Sequence, residues 1–140
     1  MYYDCDYRVS YGDTDQMGVV YYANYLELFE RGRTEMLRSV GLTYREMEEM
    51  GILLPVTEAF CKYRMPARYD DLLTIRSCVE EIGRVRLKIA SEVLRDGELL
   101  VSGYVVLGCV NREHRPVRMP EELTERCRRL LIGNADENHR

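Results

Sequence analysis

The chain has 140 residues, enough for one domain and too few for two full cores. Hydrophobic residues make up 46% and charged residues 31%, the balance of a folded soluble chain rather than a disordered one, and the formal net charge of −4 weighs against general nucleic-acid binding. No stretch approaches the roughly 20 apolar residues of a membrane helix, and Met1–Asp6 lacks the basic start and apolar run of a signal peptide, so the cytoplasm is the expected compartment.

In chain order, Tyr7–Tyr11 reads as a short strand and Asp13–Gly18 as a polar turn closed by glycine. Tyr22–Val40 has helical spacing, with Tyr22, Leu26, Phe29, Met36, Leu37 and Val40 near one stripe and Gly32 beside it. Asn24 with Glu27 has the form of a capping box, and Gly41 is a C-terminal stop. Thr43–Met50 reads as a second, short helix capped by Thr43, with Glu46 three residues on. The period then changes to two. Strands are expected over Leu53–Tyr63, Leu72–Ile82, Arg84–Arg95 and Glu98–Asn111, the last long, mostly apolar and central.

Met65–Asp71 is a polar, proline-containing connection, and Asp96-Gly97 is a hairpin signal. In Arg84–Arg95, Val85, Leu87, Ile89 and Val93 alternate with Arg84, Arg86, Lys88 and Glu92, the mark of a sheet packed on one face. A helix over Pro120–Leu131 and a polar tail finish the chain. One long helix followed by consecutive antiparallel strands gives an α+β class, with the sheet burying one face against the helix.

Much chemistry is excluded by composition. The two histidines, His114 and His139, fall in a charged turn and in the tail, away from any serine or cysteine they would activate. There is no nucleophile elbow, phosphate loop or dinucleotide glycine pattern. The five cysteines are widely spaced and lack C-x-x-C pairing, so free thiols are expected, and no metal and no cofactor. What remains is Asp13-Thr14-Asp15-Gln16-Met17-Gly18, feeding a tyrosine-rich helix start. On spacing alone it is a solvated turn or a calcium-like loop without the distal glutamate of an EF-hand. Its position adds a second reading. Backbone N–H groups at a helix start favour negative charge, so a carboxylate beside them has the parts for attack on a polarised carbonyl.

The segment Tyr7–Leu37 resembles the signature of the 4-hydroxybenzoyl-CoA thioesterase family of hotdog proteins, especially its Tol-Pal-associated acyl-CoA thioesterase branch. Asp13, Asp15, Gly18, Val19, Val20, Tyr22, Asn24, Tyr25 and the run Phe29–Leu37 carry the match. Tyr63-Arg64-Met65-Pro66-Ala67-Arg68-Tyr69-Asp70-Asp71-Leu72 resembles the family's second motif, and the similarity spans about residues 5–130. The resemblance implies a single hotdog domain, an antiparallel sheet wrapped around a long central helix, followed by the polar tail. It implies hydrolysis of acyl-CoA thioesters, with Asp15 as nucleophile or general base and the Tyr22 backbone N–H as oxyanion donor, while Asp13 stabilises the turn. It implies a homodimer or homotetramer with the site between subunits, and an acyl carrier protein as a possible second partner. Coenzyme A enters as part of the substrate.

That branch often has histidine where Tyr22 stands, whereas the benzoyl branch has tyrosine. Gly18, Val19, Asn24, Tyr25 and Tyr63 are the candidate acyl-site residues, and Arg84 and Arg86 the candidate coenzyme A contacts, cations being suited to phosphate. The competing readings are a hotdog dehydratase, which needs an active-site histidine, a non-catalytic acyl-CoA or acyl-carrier-protein binding module, and a protein-interaction scaffold.

Overall fold

A computed structural model describes residues 2–131, so His139 and most of the polar tail lie outside the described residues. The elements are β1 (Tyr3–Arg8), a 3-10 turn (Tyr11–Asp13), α1 (Asn24–Ser39), α2 (Tyr44–Glu49), β2 (Val56–Tyr63), β3 (Leu72–Ile82), β4 (Arg86–Arg95), β5 (Glu98–Gly108) and α3 (Glu121–Arg128). The strands form one antiparallel sheet in the order β1-β3-β4-β5-β2. The centre is therefore β4, with β5 next to it, and β1 and β2 are the edges. This is the α+β hotdog arrangement, with α1 lying against β1, β3, β4 and β2. No described helix is long and apolar enough to cross a membrane.

Burial alternates along the central strands. Leu73, Ile75, Ser77 and Val79 of β3 and Leu87, Ile89, Ser91 and Val93 of β4 face inward and are buried. Asp96 (φ 52°) and Gly97 (φ 81°) make the two-residue turn into β5 that their sequence signalled. Thr43 caps α2, its Oγ1 accepting from the Glu46 N–H at 3.2 Å. Other boundaries differ from the sequence reading. The first strand lies earlier, and Tyr11 belongs to the 3-10 turn. α1 starts at Asn24 with Ala23 as its cap, so the Asn24–Glu27 box does not form. Val85, expected on the inner face, is 43% exposed because the ladder of β4 begins only at Arg86.

The phase of α1 is also corrected. Its buried residues are Tyr25, Leu28, Phe29, Gly32, Met36 and Leu37, while Tyr22 and Leu26 are 62% and 41% exposed. The stripe is turned so that Gly32 sits in its middle. A Cβ there would lie 2.6 Å from Ile75 Cγ2 and 2.7 Å from Ser77 Oγ, so the helix backbone rests directly on β3. The core divides along the helix. Met36 and Leu37 pack with Leu42, Val79, Leu87, Leu107, Leu123 and Cys127. Tyr25, Leu28 and Phe29 pack with Val9, Val20, Ala67, Leu73, Ile75, Val93 and Leu100. The second cluster includes residues from both motifs and fixes the N-terminal end of α1.

The glycine contact predicts that Gly32→Leu lowers folding stability by about 3 kcal/mol, because overpacking forces the helix off the sheet. Urea unfolding monitored by circular dichroism reads this directly, and an unchanged midpoint would contradict the close approach.

Candidate functional site

The Asp15 loop is a backbone construction. The Asp15 N–H donates to Val19 O at 2.9 Å and the Gly18 N–H to Asp15 O at 3.0 Å, closing a tight turn. Gly18 has φ +79°, a left-handed conformation that costs a residue with a side chain but not glycine. The Val20 N–H then donates to Ala67 O at 2.8 Å, and the Tyr21 N–H to Asp13 O at 2.9 Å. Val19 bridges Arg68. The loop is thus tied at one side to the Tyr63–Leu72 motif and at the other to its own start, and it delivers the chain into α1.

The two acids of the loop have different surroundings. Asp13 Oδ2 accepts from Tyr7 O–H at 2.7 Å, the Ser10 N–H at 2.8 Å and Ser10 Oγ at 3.0 Å. Burial pushes its carboxyl up, but the bonds from Tyr7 and Ser10 and the charge of Arg31 outweigh this and hold it below its ordinary value of 3.8. Asp13 is a structural acid. Asp15 is half-buried and receives one bond, from the Met17 N–H to Oδ1 at 2.8 Å, while Oδ2 meets no donor among the described residues. Asp13 is held by three bonds on one oxygen, whereas Asp15 accepts only one.

The helix start supplies the complementary feature. Tyr21 O accepts from the Asn24 N–H at 2.9 Å, and Ala23 O from the Leu26 N–H at 3.3 Å. Tyr22 O accepts from Tyr63 O–H at 3.0 Å and, more weakly, from the Tyr25 N–H at 3.5 Å. The Tyr22 and Ala23 N–H groups themselves meet no acceptor among the described residues. They are two unspent donors at the positive end of a 16-residue helix.

The other candidate residues fall in two places. Asn24 Nδ2 donates to Asp13 O at 3.0 Å, pinning the helix start to the loop. Tyr25 is 2% exposed and its hydroxyl accepts from the Ala67 N–H at 3.2 Å, so it packs beneath the site. Tyr63 stands at the end of β2 with its ring 5.6 Å from that of Tyr25 and 6.3 Å from that of Tyr22. Arg84 and Arg86 are elsewhere. They flank the start of β4, whose far end at Arg95 lies about 30 Å of strand away. A cavity of about 620 Å³ at that distant end is lined by Arg84, Arg118, Glu80, Glu81 and Arg128 and does not include Asp15. His114 is exposed in a turn with φ 62°. Among the described residues no group of three or more His, Cys, Asp or Glu is placed to hold a metal.

The sequence reading missed two supports. Arg95 donates to Asp71 Oδ2 at 2.8 Å and to Pro66 O at 3.3 Å, and the Arg68 N–H donates to Asp71 Oδ2 at 2.8 Å. Burial raises the Asp71 carboxyl, but these donors bring it below its ordinary value. The pair holds the bend whose Ala67 carbonyl anchors the loop. The motif was visible in sequence, but its partner Arg95, 24 residues on, was not. The second free donor, Ala23, has no side-chain signal at all.

The Asp13 geometry predicts a pH effect. A depressed native pKa contributes stability that is present above the unfolded value and lost as pH falls through the native one. Asp13→Asn is therefore less stable than the parent chain at pH 7, and the gap narrows below pH 3.8. Urea midpoints at pH 7 and in acid measure it, and a gap that stays constant would contradict the assignment.

Comparison with known proteins identifies the family. Residues 9–127 match the family described as the thioesterase-like superfamily. The acyl-CoA thioesterase YbgC of Haemophilus influenzae is 36% identical over 118 residues, 83% of this chain and 87% of that protein. The crystal structure of a hypothetical protein, TT1821, from Thermus thermophilus superposes with a TM-score of 0.88 at 31% identity, covering 94% of this chain and 99% of that one. The DHNA-CoA thioesterase of Staphylococcus aureus superposes with the same score at 26% identity, covering 99% and 95%. On these similarities the chain belongs to the thioesterase-like superfamily as a hotdog-fold thioester hydrolase.

Proposed function

We propose that this protein hydrolyses acyl-CoA thioesters to free coenzyme A and a carboxylic acid, with Asp15 as the reacting carboxylate and the Tyr22 N–H as oxyanion donor. One observation carries the reading. An acid with an open oxygen sits on a loop bonded directly into a helix start that presents unspent N–H groups. In the general-base form, Asp15 takes a proton from water and the hydroxide adds to the thioester carbon. In the nucleophilic form, the carboxylate itself adds and the resulting anhydride is later cleaved by water. Both pass through a tetrahedral oxyanion, held at the Tyr22 N–H with a contribution of about 10²–10³ in rate. Both expel coenzyme A thiolate, which is protonated to the thiol.

The site is a composite of two copies in this reading. β2 pairs only with β5, leaving an eight-residue edge on which every residue but Cys61 is exposed. Such an edge is a template for another strand. A two-fold axis through it pairs β2 antiparallel with its copy, setting the Val56 end of one chain beside the Tyr63 end of the other. Arg86 pairs with Gly108, and Val56 with Leu107, so Arg86 lies two strands from β2, about 10 Å across the sheet. The partner thus brings that end of its own sheet toward the thioester, which is how Arg84 and Arg86 would serve the coenzyme A phosphates. An acyl carrier protein is a second thioester donor compatible with this reading.

The test is release of free coenzyme A from acetyl-, hexanoyl-, palmitoyl- and benzoyl-CoA, with Asp15→Asn alongside. The expected result is turnover that falls by about 10²-fold or more in the variant. Variant turnover equal to that of the parent chain would remove Asp15 from the reaction. Sedimentation at working concentration is expected to show two or four copies, and a fully active single copy would contradict the composite site.

A further inference from the structure

We propose that Tyr63 is a positioning residue for the oxyanion donors, its hydroxyl fixing and polarising the peptide that joins Tyr22 to Ala23. The inference rests on the reading of the helix start as an oxyanion site. The peptide's carbonyl is Tyr22 O, and its N–H is that of Ala23. A peptide whose carbonyl accepts a hydrogen bond becomes a stronger donor at its other end.

The neighbouring peptide, which carries the Tyr22 N–H, is backed within the turn by the Asn24 N–H at 2.9 Å on Tyr21 O. The Tyr22–Ala23 peptide has only a weak local partner, the Tyr25 N–H at 3.5 Å. Its short bond comes from Tyr63, 41 residues away on β2, at 3.0 Å. Without Tyr63 this peptide would be free to rotate its carbonyl toward solvent and carry its N–H out of line. With it, the Ala23 N–H stands as a second donor beside that of Tyr22.

The rest of the Tyr63 environment fits this role. The ring is held edge-on between those of Tyr22 and Tyr25. Burial, with the adjacent Cys61 thiol next in effect, pushes the phenol up to about 12, so it keeps its proton to donate at neutral pH. Because β2 is the edge strand, pairing with a second copy would brace Tyr63 and hence the donor peptide. Assembly and oxyanion geometry are then linked through one hydroxyl.

Tyr63→Phe keeps the ring contacts and removes only that hydroxyl. Its kcat and KM for acyl-CoA hydrolysis should be measured beside the parent chain and Asp15→Asn, with the carbonyl 13C resonance of Tyr22 and the amide proton resonance of Ala23. The expected result is a fall in kcat of about five- to tenfold with KM unchanged, and both resonances moved upfield. An unchanged kcat with a raised KM would make Tyr63 a lining residue for the acyl group and overturn the inference, as would unmoved resonances. If Asp15→Asn is inactive while Tyr63→Phe keeps full kcat, the inference fails and the catalytic reading stands. If Asp15→Asn is fully active, the catalytic reading fails and takes the inference with it.

Discussion

The contact of α1 with β3 through Gly32 is the constraint on which the rest of the molecule depends. A helix can lie this close to a sheet only where its side chain is absent, and here a Cβ would fall within 2.7 Å of both Ile75 and Ser77. The close seat fixes how far α1 is rotated. That rotation buries Tyr25, Leu28 and Phe29 and leaves Tyr22 exposed just before the helix. It also puts the helix start level with the Ala67 bend, where the Ala67 carbonyl and the Val19–Arg68 bridge hold the Asp15 loop. In the proposed mechanism, displacing the helix by an ångström or so would separate the Asp15 carboxylate from the donors it must act beside.

Two sequence motifs, far apart in the chain, prove to be two halves of one frame. The first supplies Asp13, bound three times, Asp15, bound once, and the helix start. The second supplies the bend that receives them, through the Ala67 carbonyl, the Ala67 N–H and the Val19–Arg68 bridge. Arg95 and Asp71 stiffen that bend from the end of β4. Hydrogen bonding explains the division of labour between the acids. A carboxylate already accepting three bonds on one oxygen is a fastener, and one accepting a single bond has capacity left for chemistry.

Most of the fold was legible in the sequence because period-two burial and turn chemistry are local. The β3–β4–β5 meander, the Asp96-Gly97 turn and the Thr43 cap all follow from neighbouring residues. The phase of α1 was not legible. Tyr22 and Leu26 are as apolar in pattern as Tyr25 and Leu28, and only the sheet decides which pair it covers. The helix start was misread for a related reason: Asn24 has a good capping side chain, but Asp13 O, eleven residues back, claims it first. Asp15 and the Tyr22 N–H became candidates in the sequence only through the family resemblance. The Ala23 N–H is a backbone group, and the role proposed for Tyr63 depends on a contact across 41 residues, so neither leaves a mark in residue type.

The position of the thioester itself is the central claim. A crystal structure of Asp15→Asn with an acyl-CoA bound would test it most directly. The account predicts the thioester oxygen within hydrogen-bond distance of the Tyr22 N–H, with the carbonyl carbon facing the side chain at position 15 and the acyl-CoA lying between two copies joined along β2. A thioester held away from the start of α1, for instance in the cavity beside Arg84 and Arg118, would contradict it.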